Sequence, residues 1–187
     1  MIITKTNYKT SSWSGGTTTE LFIYPPESSY QKRDFQIRIS SATVDIEESN
    51  FTKLPGYNRV LMILDGQLEL NHQGKYQKKL SQYECDYFDG TWETSAKGKV
   101  IDFNLMTSKS LQGDLKYKKL VSGTKFTLTI SSKGKLIALY LISGKLLSEA
   151  DERILEQGDL IVLQNQGNVH ELQVLEDSNL IQIFVDY

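Results

Sequence analysis

The sequence of 187 residues has little of several features that direct function in other proteins. It contains one cysteine, which excludes an internal disulfide and favours a cytoplasmic location. It has no apolar run long enough to span a membrane and no signal-peptide pattern after Met1. Its formal net charge of -2 argues against a broad nucleic-acid interface, because binding to phosphates needs concentrated Lys and Arg. We therefore expect neither a nucleic acid nor a membrane as a partner.

Histidine is also scarce, which limits the metal chemistry that the chain can support. The two histidines are His72, in a polar turn that ends at Gly74, and His170, in the segment Gly167-Asn168-Val169-His170. The turn predicts that His72 is a solvated surface residue. His170 lacks co-ligands and is interpreted as structural. Because a metal ion needs several converging nitrogen and oxygen ligands, we predict no metal, and we predict no cofactor.

Nucleophilic catalysis has no better support in the sequence. Cys85 stands between Glu84 and Asp86, two acidic residues that would raise rather than lower the pKa of its thiol. We therefore predict that Cys85 is a packed strand residue. No Gly-x-Ser-x-Gly elbow, phosphate-binding loop or dinucleotide fingerprint is present.

What the sequence does contain is a series of β-strand patterns. The apolar run Val60–Leu64 is followed by Asp65-Gly66 and then by alternating residues, which predicts a β-hairpin at that dipeptide. Residues 17–24 are β-branched and aromatic up to Pro25. Residues 35–40 alternate between apolar and polar side chains. Since no segment has a helical period, the patterns predict an all-β sandwich or barrel.

The two halves of the chain repeat each other. Residues 139–146 resemble 62–68, and residues 180–184 resemble 102–106, with equivalent positions 78 residues apart. Two copies are too few for a solenoid array. The repeat therefore predicts two tandem β domains, residues 1–108 and residues 109–187.

Polar side chains recur on strands whose other face is apolar. Asp102 and Asn104 share one face, Arg38 and Ser40 share another, and Arg59 enters the central strand. These faces could simply be wet, as in an antiparallel sheet with one side toward water. They could instead line the inside of a barrel. In that case two arginines would suit a small dicarboxylate, because a guanidinium can clamp a carboxylate with two hydrogen bonds.

Five ordered motifs resemble those of the HutD/Ves family of bicupins: Trp13–Glu20, Phe35–Val44, Phe51–Arg59, Phe88–Gly90 and Asp102–Met106. The resemblance implies two cupin-type β-barrels in one chain, with a ligand pocket in the first and a structural second barrel. Some relatives accompany histidine-utilisation operons, where a regulatory role and binding of a formylated glutamate have been proposed. The chain departs from the usual pattern at Ser14, where many relatives have Asn, and at Thr19, where a basic residue is common.

The resemblance also implies which residues form the pocket. Carried over motif by motif, the implied ligand-binding residues are Trp13, Thr17, Glu20, Arg38, Ser40, Arg59, Phe88, Gly90, Asp102 and Asn104.

Three functions remain open at the level of sequence. We expect a metal-independent sensor or regulator of histidine catabolism that binds a small anionic metabolite such as N-formylglutamate. The first alternative is a metal-independent isomerase or hydrolase in which Glu20 or Asp102 acts as acid or base, although an Arg neighbour would favour an ion pair for either. The second alternative is an interaction module that forms a homodimer through its edge strands.

Overall fold

The regular structure of the chain is almost entirely β-strand. The computed structural model describes residues 1–129, 134–163 and 169–186. Within these ranges the strands are accompanied by one short 3₁₀-helix, Lys5–Asn7. No helix in them is long and apolar enough to cross a membrane. The prediction of an all-β fold is confirmed.

The strands are numbered in chain order. The strands up to Ser108 are β1 (Ile2–Ile3), β2 (Lys9–Trp13), β3 (Gly16–Tyr24), β4 (Ile37–Val44), β5 (Glu48–Asn50), β6 (Tyr57–Gly66), β7 (Leu68–His72), β8 (Tyr76–Leu80), β9 (Cys85–Asp89), β10 (Thr94–Lys97) and β11 (Val100–Ser108). The later strands are β12 (Gln112–Leu120), β13 (Lys125–Thr129), β14 (Gly134–Ser148), β15 (Arg153–Leu155), β16 (Leu160–Leu163) and β17 (Val169–Asp186).

The chain divides into two compact units. The first unit is Tyr8–Gly113, and the second combines Met1–Asn7 with Asp114–Tyr187. The start of the chain belongs to the second unit because β1 pairs with β16, Ile2 lying opposite Ile161. The sequence prediction placed all of residues 1–108 in the first domain, and for residues 1–7 the strand pairing corrects it.

Two antiparallel sheets form the first unit. Six strands have the order β2-β3-β4-β11-β6-β9, and four have the order β5-β10-β7-β8. Both sheets contribute to one apolar cluster, so their inner faces pack together. The buried members of this cluster are Val44, Leu61, Ile63, Leu68, Leu70, Leu80, Phe88, Ala96 and Val100.

The prediction of a hairpin at Asp65-Gly66 is wrong. Strand β6 lies in the six-stranded sheet and β7 in the four-stranded sheet, so the chain crosses between sheets at this point. Gly66 has a φ of 86°, and a Cβ there would come within 2.5 Å of the Lys99 carbonyl oxygen. A hairpin and a sheet crossing both need such a turn residue, and the dipeptide alone does not distinguish them.

Strand β4 carries the alternation that the sequence predicted, beginning at Ile37 rather than at Phe35. Ile37 and Ile39 are fully buried. Arg38 and Ser40, on the other face, are also buried. The interpretation of the polar face as wet is therefore wrong for this strand.

A seven-stranded sheet forms the second unit, and its pairing preserves the 78-residue repeat. Leu61 pairs with Asn104 in the first unit, and 78 residues later Leu139 pairs with Gln182. The long strands β14 and β17 have several register shifts, which bend strands. The buried members of the main apolar cluster are Leu128, Ile137, Leu139, Leu141, Leu146, Leu155, Ile161, Leu163, Leu172, Val174 and Leu180.

Candidate functional site

The candidate site lies on the inner face of the six-stranded sheet. The register aligns Ser40, Asn104 and Leu61 across β4, β11 and β6. Arg38 and Arg59 lie two residues away from Ser40 and Leu61 on their strands, so they are on the same face, and both lie opposite the same residue of β11. Directly opposite residues of antiparallel strands point to the same side. Because Leu61 belongs to the apolar cluster between the sheets, the two arginines point into the unit.

The charge of Arg38 is compensated by a side chain from the neighbouring strand. Its Nε donates a hydrogen bond of 2.8 Å to Oε2 of Glu20, and its Nη1 donates one of 3.0 Å to Oγ of Ser40. The ring of Tyr30 covers the guanidinium, with 4.6 Å between Cζ and the ring centroid. These contacts fix both the position and the orientation of the Arg38 guanidinium.

Arg59 is less completely satisfied. Its Nη2 donates a 3.0 Å hydrogen bond to Oδ1 of Asn104, and its guanidinium lies 4.7 Å from the ring centroid of Phe51 and 5.1 Å from that of Phe88. Within the part of the chain that the structure describes, its buried Nε has no hydrogen-bond partner. Burial lowers the pKa of Arg59 to about 10, so the side chain stays positively charged at neutral pH.

Asp102 completes the polar group behind Arg59. Nδ2 of Asn104 donates a 2.6 Å hydrogen bond to Oδ1 of Asp102, which links this carboxyl to the Arg59 guanidinium through one amide. Burial raises the pKa of Asp102 to about 7, against the opposing effects of Arg59 and Asn104. For Asp102, desolvation thus opposes the expected ion pair with an arginine, whereas the expected ion pair of Glu20 is present, with Arg38.

The structure brings together seven of the ten residues that the resemblance implied. These residues, which form the arginine group, are Glu20, Arg38, Ser40, Arg59, Phe88, Asp102 and Asn104.

Trp13, Thr17 and Gly90 do not join this group. Trp13 is 41% exposed at the end of β2. Thr17 lies three positions before Glu20 on the same strand, so the alternation of side chains turns it to the opposite face. Gly90 permits a close backbone approach, since a Cβ there would come within 2.3 Å of the Leu54 carbonyl oxygen.

His72, predicted as a solvated surface residue, is 1% exposed, so that prediction is wrong. Its Nε2 lies 2.8 Å from Oδ2 of Asp86 and its Nδ1 lies 2.8 Å from Oγ1 of Thr94. Asp86 also accepts hydrogen bonds from Tyr76 and Lys78. The signal that sequence analysis missed is the alternation of β7, which places Leu68, Leu70 and His72 on one face.

Metal ligands do not cluster in the described ranges, where no group of three or more His, Cys, Asp or Glu side chains could hold an ion. Near the second histidine, Gly167 and Asn168 lie outside the described residues. His170 itself lies on β17, with Nε2 3.0 Å from Oγ of Ser148. Burial lowers the pKa of His170.

Surface depressions elsewhere are less promising than the arginine group. One of about 490 Å³ and one of about 440 Å³ are lined by residues of the small sheet and its connections, among them Asn71, Ser95 and Lys97. Their linings contain none of the ten implied residues. We place the candidate site at the arginines because ligand specificity comes from convergent buried polar groups rather than from volume alone.

A family model described as HutD matches residues 5–181 of the chain. This match covers both units and all ten implied site residues. No curated protein matches the sequence significantly.

Solved structures resemble the whole chain at low sequence identity. A conserved protein of unknown function from Pseudomonas aeruginosa, PA5104, has 20% identity and a TM-score of 0.81, covering 100% of this chain and 98% of its own. HutD from Pseudomonas fluorescens, solved in a formate condition, has 20% identity and a TM-score of 0.71, with coverages of 98% and 97%. The Escherichia coli pirin YhhW, in complex with nickel(II), has 8% identity and a TM-score of 0.73, with coverages of 98% and 97%. These similarities establish the bicupin fold that the family resemblance implied.

Proposed function

The chain belongs to the HutD family, and on this premise we propose that it is a metal-independent receptor for a small carboxylate. In this proposal it acts in the cytoplasm as a sensor or regulator of amino-acid catabolism, and N-formylglutamate is the first candidate ligand because histidine utilisation is the context implied by the resemblance. The observation that carries the proposal is the buried Nε of Arg59, which has no hydrogen-bond partner in the described part of the chain.

An unpaired buried donor has an energetic cost that a ligand can remove. Leaving a buried polar group without a partner costs about 1–3 kcal/mol, and more when the group is charged. A carboxylate beside Arg59 would accept a hydrogen bond from Nε and neutralise a charge that remains at neutral pH. Phe51 and Phe88 flank the guanidinium and would reduce its contact with competing water.

A thermal-shift assay tests this function. Formate, glutamate or N-formylglutamate should raise the melting temperature of the wild-type protein, because a ligand that binds only the folded state stabilises it. Arg59→Met should abolish the shift. Arg153→Met is the matched control, since Arg153 is exposed and belongs to the second unit, and it should keep the full shift. No shift with any small acid, or an equal shift in Arg59→Met, would contradict the proposal.

A second candidate function uses the same site for catalysis. A carboxyl with a pKa of about 7, as at Asp102, can both give and take a proton at neutral pH, which favours an isomerase or hydrolase. This enzyme would consume a bound acid such as N-formylglutamate during long incubation, and Asp102→Asn would stop the reaction. Under the receptor proposal the ligand is recovered unchanged.

A further inference from the structure

We propose that Glu20 is a specificity-determining residue, which restricts the site to ligands that present a single carboxylate to it. Glu20 does this by occupying Arg38, so that Arg59 is the guanidinium left for the ligand. The inference rests on the proposed function, because it concerns which carboxylates the arginine group accepts. It also differs from the expectation that two arginines suit a dicarboxylate. N-formylglutamate has two carboxylates, so by this inference it binds Arg59 through one of them and binds more weakly than its own mono-amide.

The first step is the geometry of the Glu20–Arg38 pair. Oε2 of Glu20 lies 2.8 Å from Nε of Arg38, and the two side chains are 22% and 8% exposed. Nε is the donor that is unpartnered in Arg59, within the described ranges. The two guanidinium groups therefore differ in the atom that side-on carboxylate binding uses. In Arg38, Nε already donates its hydrogen bond to the carboxylate of Glu20.

Arg38 is also prevented from turning toward a ligand. Ser40 accepts a 3.0 Å hydrogen bond from Nη1 on the same strand. The Tyr30 ring lies against the guanidinium at 4.6 Å. A second ligand carboxylate could reach Arg38 directly only by displacing Glu20 or by lying beside its carboxylate.

Both routes are unfavourable because the Glu20–Arg38 pair and Arg59 are mostly buried. If a ligand carboxylate displaces Glu20, the charge of Glu20 loses Arg38 as its partner while the side chain stays mostly buried. Placing a ligand carboxylate beside Glu20 brings two negative charges together where the dielectric constant is below that of water. A ligand with one carboxylate at Arg59 meets neither difficulty.

The charges of the whole group support one ligand charge rather than two. Arg38 and Arg59 supply two positive charges, and Glu20 compensates one of them. The remaining charge of Arg59 faces Asp102, a carboxyl whose burial favours its neutral form. One ligand carboxylate balances the site, and a second one creates a negative excess.

Calorimetric titration of the full-length protein with matched pairs of acids tests the inference. The probes are succinate and glutarate, each compared with its mono-amide, which keeps the size and replaces one carboxylate by a neutral group. Wild-type protein should bind each mono-amide at least tenfold more tightly than the parent diacid. This comparison needs no variant, so it does not depend on how a substitution affects folding.

Three variants then assign the preference to Glu20. Glu20→Gln should release Arg38 and reverse the order, so that each diacid binds more tightly than its mono-amide. Adding Arg38→Met to Glu20→Gln should remove this gain for the diacids. Glu93→Gln is the control, because it makes the same chemical change in the exposed ion pair with Lys53, and it should leave the wild-type order unchanged.

The possible outcomes separate this inference from the function on which it rests. If none of the four acids binds the wild-type protein, the carboxylate receptor itself is contradicted. If the acids bind but wild type prefers the diacids, or Glu20→Gln leaves the order unchanged, the receptor stands and the role of Glu20 is overturned.

Discussion

At the scale of single residues, Asp102 shows how burial controls the chemistry of the site. Asp102 is 4% exposed, and burial raises the pKa of its carboxyl from 3.8 to about 7 despite the positive charge of Arg59 nearby. In the unfolded chain the same carboxyl titrates near its ordinary value. Between about pH 4 and pH 7 the folded state therefore holds a proton that the unfolded state has lost.

This difference predicts how stability depends on pH. Because the folded state binds more protons, the contribution of Asp102 to the free energy of unfolding falls as pH rises from about 4 to 7. Asp102→Asn removes that dependence with little change in shape. Between pH 5 and pH 7.5, the free energy of unfolding of the variant should therefore rise by about 1–4 kcal/mol relative to that of wild type, at about 1.4 kcal/mol per pKa unit. Urea unfolding at the two pH values measures it, and an equal pH dependence in both proteins would contradict it.

Sequence analysis could identify the polar residues of the site but not their burial. The alternation of residues 35–40 assigns Arg38 and Ser40 to one face, and the structure agrees. Alternation does not say which face points inward, because both faces of β4 are buried here. In the described part of the chain the Nε of Arg59 has no hydrogen-bond partner. This property depends on distances to side chains of other strands, which no sequence pattern contains.

At the scale of elements, His72 connects the two sheets of the first unit. His72 on β7 and Thr94 on β10 belong to the four-stranded sheet, whereas Asp86 on β9 belongs to the six-stranded sheet. The imidazole also lies 4.8 Å from the ring of Phe88, which in turn flanks Arg59. The network therefore supports one wall of the candidate site.

Removing this imidazole should destabilise the fold. His72→Leu leaves Asp86 and Thr94 buried without one of their partners, and we expect a loss of roughly 2–4 kcal/mol in the free energy of unfolding. Thr94→Val alone should cost less, and the double variant should cost less than the sum of the two single changes, because the two residues share a hydrogen bond. Urea unfolding of the four proteins measures both effects. Strict additivity, or a loss below about 0.5 kcal/mol for His72→Leu, would argue against the network.

The partners of His72 explain why the sequence did not reveal it. Asp86 and Thr94 are 14 and 22 residues away, on separate strands. The polar residues Asn71 and Gln73 on either side indicated a solvated turn, although β7 extends through His72. The polar composition of this segment thus predicted exposure correctly for Asn71 and Gln73 but wrongly for His72.

At the scale of the whole molecule, the internal repeat allows the candidate site of the first unit to be compared with the equivalent positions of the second. The positions equivalent to Arg59, Asp102 and Asn104, 78 residues later, are Ile137, Leu180 and Gln182. Ile137 and Leu180 belong to the apolar cluster of the second unit. The same strand pairing thus carries polar side chains at all three positions in the first copy, and in the second copy it carries apolar side chains at two of them and a buried glutamine at the third. The offset could be found from the sequence, because glycine turns and apolar runs repeat at that distance.

The central claim, that a ligand carboxylate binds Nε of Arg59, can be measured directly by nuclear magnetic resonance of the arginine side chains. The chain has four arginines, Arg33, Arg38, Arg59 and Arg153, so four Nε–Hε signals are expected and Arg59→Met assigns one of them. On titration with a small carboxylate, we predict that the Arg59 signal shifts saturably downfield as its hydrogen gains an acceptor, while the Arg153 signal stays in place. An Arg59 signal that does not move at saturating concentrations of formate, glutamate or N-formylglutamate would contradict the account.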